Sequence, residues 1–89
     1  MTSKLVKEIV EDYFKLKIDS RTRQRKYVEA RAIYYKLLRE NSRMSLQAIG
    51  KTMNRDHATA LHSLRQIKDW LEYDKEIKRD YNIINSRLQ

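Results

Sequence analysis

The sequence predicts an all-α domain of five to six helices, and three observations carry that prediction. Proline is absent and glycine occurs once in 89 residues, so almost nothing in the chain breaks a helix. Apolar residues recur at three- and four-residue intervals in several separate runs. Ser and Asp residues suited to starting helices stand in front of these runs, and no Gly/Pro-rich linker or internal repeat divides them, so residues 1–89 read as one domain.

A first helix is expected from a Ser3 cap to about Lys17, with Leu5, Val6, Ile9, Val10, Tyr13 and Phe14 on its apolar stripe. Ile18 to Thr22 then serve as a connection. From Arg21 to Arg25 bases alternate with polar residues and leave no apolar face to bury, which predicts a loop or a frayed helix start. A second helix spans about Lys26 to Glu40, with Val28, Ala32, Ile33, Tyr35, Leu37 and Leu38 turned inward. Asn41 to Arg43 break the chain before Ser45, which caps a short helix carrying Leu46, Ala48 and Ile49. Gly50 to Arg55 supply a corner in which Asn54 can take a left-handed conformation. Asp56 caps a fourth helix running to about Tyr73, with Ala60, Leu64, Ile67 and Leu71 on one stripe and Trp70 at its margin. Asp74 caps the last helix, on which Ile77, Tyr81, Ile84 and Leu88 repeat the spacing.

Composition narrows the function. There is no Cys, which removes disulfides and thiolate metal sites. No apolar run approaches the roughly 18 residues of a membrane span, and no signal-peptide pattern leads the chain, so no membrane partner and a cytoplasmic location are expected. The net charge is +8, and its excess is local. Between Arg21 and Arg43 the cations Arg21, Arg23, Arg25, Lys26, Arg31, Lys36, Arg39 and Arg43 face only Glu29 and Glu40. A charge run is often only a solvated face. Here it adjoins two helices meeting at a corner, and side chains that displace counterions from a duplex belong beside a helix-turn-helix.

The chemistry of the fourth helix fits the same reading. A recognition helix needs a small, polar first turn to approach base edges and apolar later turns to stay on the domain. Asp56, His57, Ala58 and Thr59 meet the first need, and Ala60, Leu61 and Leu64 the second. Asp accepts from the cytosine amino group, His bonds purine acceptors, Ala meets a thymine methyl and Thr reaches phosphate or base. If Asp56 also caps the helix, each carboxylate oxygen must take one task. The expectation is sequence-specific binding of double-stranded DNA, with no cofactor.

RDHATALH, preceded by SLQAIG and by the arginine-rich run, resembles the C-terminal DNA-binding domain, domain IV, of the bacterial replication initiator DnaA. That family carries a motif close to GRDHTTVLHA after a helix beginning SLPEIG. The likeness runs from about Val6 to the end of the chain, and RDH-x-T-x-LH is its specific core. It implies a Trp-repressor-like helix-turn-helix and an asymmetric A·T-rich box of about nine base pairs. By position, Asp56, His57 and Ala58 fall where the family reads bases in the major groove, and Arg23 where it enters the adjacent minor groove. Arg31, Arg39, Leu46, Gln47, Thr59 and His62 fall among positions that meet the DNA backbone, Leu46 and Gln47 through main-chain amides. Arg21, Arg25, Lys26 and Arg55 are added as neighbouring phosphate contacts.

Three departures bear on this transfer. Ala58 replaces Thr, Met53-Asn54 stands for Phe-Gly-Gly and shortens the turn by one residue, and Ala48 replaces the Glu of a capping box. No phosphate-binding glycine loop is present, so an ATP-driven initiator is not expected; the layout resembles a free-standing domain such as a phage or mobile element encodes, monomeric and acting in replication, its regulation or transcription. Catalysis is disfavoured: His57 and His62 do not share a helix face, and His62, Arg65 and a tyrosine lack the remainder of a recombinase framework. The rival reading is a protein-interaction module that meets a replication protein through Leu5, Tyr13 and Trp70.

Overall fold

The computed structural model describes residues 2–88. Five helices follow one another: α1 (Ser3–Phe14), α2 (Arg25–Asn41), α3 (Leu46–Thr52), α4 (His57–Tyr73) and α5 (Lys75–Leu88). The expected all-α architecture is observed, with two local differences in the first helix. Thr2, not Ser3, is the cap, its Oγ1 accepting from the Leu5 amide at 3.2 Å. The helix stops at Phe14 because Lys15 turns left-handed at φ 58°, and the Leu16 amide returns to the Glu11 carbonyl. Three residues on, Ile18 is fully buried, so the supposed connection is itself part of the core.

The spine of the molecule is α2. It buries Ala30, Ala32, Ile33, Tyr34, Tyr35, Leu37 and Leu38, more than one amphipathic stripe could, because α1, α3, α4 and α5 all pack on it. Each fully buried Ile or Leu contributes on the order of 1.5–3 kcal/mol. Val6 and Val10 of α1, Ile49 of α3, Ala60 and Ile67 of α4, and Ile77 and Ile84 of α5 complete the same cluster. Polar pins join distant elements: Tyr34 Oη lies 2.6 Å from Thr52 Oγ1, Tyr13 donates to Asp80 at 2.6 Å, and Tyr81 donates to Glu40.

The corner between α3 and α4 positions the site. The Ser45 hydroxyl caps α3 by accepting from the Ala48 amide at 3.1 Å; the methyl of Ala48 cannot accept in return, so only half of a capping box forms. At its far end α3 closes with the Arg55 amide on the Gly50 carbonyl (2.8 Å) and the Asn54 amide on that of Lys51 (3.0 Å). Asn54 sits between them at φ 56°, the left-handed residue of a Schellman turn. Gly50 has a different task. Its φ is not positive, but a Cβ there would lie 2.7 Å from the Asp56 carbonyl oxygen and 2.8 Å from that of Arg55. The start of α4 rests on α3 at the one residue without a side chain.

Candidate nucleic-acid interface

The residues of α4's first turn, Asp56, His57, Ala58 and Thr59, are all exposed. Asp56 caps the helix with a single oxygen: Oδ1 accepts both the amide and the hydroxyl of Thr59, each at 2.9 Å. Those two bonds, the amide's first, hold its carboxyl below the usual carboxylate range. The cap therefore leaves Oδ2 clear of that work. Beyond this turn Ala60 and Ile67 are buried and fasten the helix to the core.

Three adjoining concavities, of about 430, 510 and 460 Å³, run past this turn. Gln47 and Lys51 of α3 line one end, with Asn54, Arg55, Asp56 and His57. The middle brings Arg21, Arg23 and Arg31 to Asp56 and Thr59. The far end adds Val28 and Tyr35 of α2 and His62, Ser63 and Gln66 of α4. Half-buried Arg55 lines all three, where its charge, after burial, helps push the Arg31 guanidinium below its ordinary value. Arg23, Arg21, Arg55, Thr59 and His62 are thus brought beside Asp56 and His57 on one trough. Six lining residues were not anticipated there: Val28 and Tyr35, expected only as core, and Lys51, Asn54, Ser63 and Gln66. Helical spacing from Gln47 to Lys51, and from Thr59 to Ser63 and Gln66, was the signal for three of them.

The basic run, expected to act as a unit, is divided. Arg21 and Arg23 are exposed on the loop between α1 and α2. Arg25 instead lies over the Trp70 ring, 4.4 Å from its centroid, and pairs with Glu29 at 3.1 Å. Lys26 is 3.7 Å from Glu76 and faces the Phe14 ring. Arg25 is thus held at the far end of α4, and Lys26 between α5 and α1. Arg31 donates to backbone carbonyls of the loop itself. Arg39 is exposed and donates to the Met44 carbonyl (2.9 Å), away from the trough, while half-buried Leu46 and exposed Gln47 begin α3. The rival face is not open as a unit: Trp70 is covered by Arg25, and the Tyr13 hydroxyl is engaged by Asp80, leaving Leu5 exposed. Among the described residues no helix is long and apolar enough to cross a membrane.

Comparison with known proteins identifies the family. Residues 3–67 match the family model described as the bacterial dnaA protein helix-turn-helix. The chromosomal replication initiator protein DnaA of Flavobacterium psychrophilum is 33% identical over 87 residues, covering 93% of this chain and 18% of that protein. The DnaA of Bacteroides thetaiotaomicron is 37% identical over 73 residues, covering 81% of this chain and 16% of the relative. That of Ehrlichia ruminantium is 30% identical over 93 residues and spans 100% of the chain and 20% of the relative. The chain thus corresponds to about a fifth or less of these initiators. With the match covering α1 to α3 and most of α4, the corner and its capped helix included, the chain belongs to the family of the bacterial DnaA helix-turn-helix.

Proposed function

We propose that this chain binds double-stranded DNA sequence-specifically, at a site resembling the initiator's box. The first turn of α4 lies in the major groove, and the loop carrying Arg21 and Arg23 lies in the adjacent minor groove. One observation carries the reading: the first turn of α4 is exposed and capped, and its Asp56 and Thr59 share a trough with Arg21, Arg23 and Arg55. Asp56, through Oδ2, His57 and Ala58 read base edges, and Arg23 reads the narrow groove of A·T-rich sequence. Thr59, His62, Arg55, Arg21, Arg39 and the first amides of α3 at Leu46 and Gln47 meet phosphates. Arg25 and Lys26 belong to the fold rather than to this set. The relatives are chromosomal replication initiators, which supports a role in replication or its regulation.

A gel shift tests the proposal. A duplex carrying an initiator-type box should be bound in preference to a scrambled duplex and to either single strand. His57→Ala should narrow that preference and cost roughly 1–3 kcal/mol of binding on the box. Equal losses by this variant on every duplex would mean that the side chain reads no base.

A further inference from the structure

We infer that Arg31 is a positioning residue that locks the Arg21–Arg23 arm into shape before DNA arrives, and not a phosphate contact. Its Nε donates to the Ile18 carbonyl at 2.8 Å, and its Nη2 donates to the carbonyls of Ser20 and of Thr22, the latter at 2.8 Å. Three carbonyls of alternate loop residues are thus gathered onto one guanidinium. Arg21 lies between the last two, and Arg23 follows immediately.

Apart from the Gln24 amide, which donates to Thr22 Oγ1 at 3.2 Å within the loop, the remaining anchors act on its first part. Ile18 is fully buried, its amide donates to Glu11 Oε2 at 2.9 Å, and Lys7 pairs with Asp19 at 2.9 Å. After Asp19, Arg31 is the tie that reaches the backbone from α2. A guanidinium presents several donors in one rigid plane, which suits it to such a task better than an ammonium. Ordering a segment costs conformational entropy for each residue fixed, and an arm already held does not lose that freedom on binding. Arg31 is half-buried, and Arg55 stands close enough to disfavour its charge, a poor placement for a cation whose task is to wait for a phosphate. The guanidinium acts through Arg23.

The inference rests on the DNA reading above, and its test separates the two. Binding is measured on boxes with A·T-rich and with G·C-rich flanks for wild type, Arg23→Ala, Arg31→Lys and the double variant. Lysine keeps the charge, but its three donors radiate from one nitrogen and do not match carbonyls met from two positions of a rigid plane. Arg31→Lys should therefore lose the A·T preference about as fully as Arg23→Ala, on the order of tenfold, and the double variant should be no worse. A chemically synthesised chain with citrulline at position 31 is the converse: it keeps Nε–H and one NH2 while losing the charge, and it should keep the preference. Arg31→Lys behaving as wild type, losses that multiply in the double variant, or a preference lost with citrulline would each overturn the assignment. Amide exchange in the free protein serves as the readout without DNA. It should quicken over residues 20–24 in Arg31→Lys and not with citrulline, and unchanged exchange in the lysine variant would also overturn it. Failure of the wild type to prefer the box would instead sink the DNA reading.

Discussion

Two residues at the corner, Gly50 and Asn54, obey opposite rules, and each can be tested by a single small substitution. Gly50 is helical and lacks a side chain because the carbonyls of Asp56 and Arg55 occupy the space where a Cβ would go. Backbone cannot step aside as a flexible side chain can, so Gly50→Ala should destabilise the fold by about 1–3 kcal/mol, the usual range for overpacking. It should also weaken duplex binding, since relief comes by moving the start of α4. Asn54 is left-handed and exposed, with space around it but a demand on its backbone. Asn54→Gly should change stability by only a few tenths of a kcal/mol, whereas Asn54→Ala should cost about 1 kcal/mol for the left-handed conformation. Urea unfolding of the three variants checks both rules, and a neutral Gly50→Ala would remove the close approach of α3 and α4.

At the level of elements, the basic run supplies a cleaner prediction than its composition suggests. Arg25→Gln gives up the stacking on Trp70 and the pair with Glu29, so it should lower stability modestly, by about 0.5–1 kcal/mol, and leave sequence preference intact. Arg23→Ala should do the reverse, sparing stability and weakening binding most where the flanks are A·T-rich. Thermal unfolding and binding measured side by side distinguish them; equal effects on binding would restore the run as a single phosphate-facing unit. This division also shows what the sequence could and could not disclose. The caps at Ser45, Asp56 and Asp74 are local, each side chain reaching an amide three or fewer residues away, and the residue types reveal them directly. The apolar stripes of α4 and α5 are equally local, a matter of helical spacing. The partners of Arg25 and Lys26 lie on Trp70 and Glu76, and the carbonyls held by Arg31 are backbone atoms with no sequence signature. Ile18 reads as a connection because its neighbours Lys17 and Asp19 are polar, and only tertiary packing makes it core. The candidate first turn was legible because exposure, cap and small size coincide on adjacent residues; the arm's rigidity was not, because it depends on contacts between segments.

Taken whole, the molecule sets its charge response by what its fold has already paired or buried. Four tyrosines are pushed up: Tyr13 first by its bond to Asp80, and Tyr34, Tyr35 and Tyr81 first by burial. A group whose folded value exceeds its unfolded value stabilises fully below the unfolded value, about 10 for tyrosine, and loses that contribution as pH rises through the folded one. Helical circular dichroism should therefore fall above about pH 10 together with a rise in tyrosinate absorbance; helix loss well before ionisation would contradict the linkage. The cations are sorted in the same way. Lys7, Lys15, Arg25, Lys26, Lys36 and Arg87 each stand within 4 Å of a carboxylate. Arg21, Arg23, Lys51 and Arg55, which line the trough, have no such partner among the described residues, and neither has Arg39, which lies apart from it. Binding should thus release counterions in proportion to this smaller set, and log affinity should fall with log salt at a slope of about −4 to −6 for five or six phosphates. The full excess of +8 acting diffusely would require a slope of about −7. Arg23→Ala should make the slope shallower by about 1 and Arg25→Gln should leave it unchanged. A flat salt response, or equal shifts in both variants, would separate the basic loop from the duplex altogether.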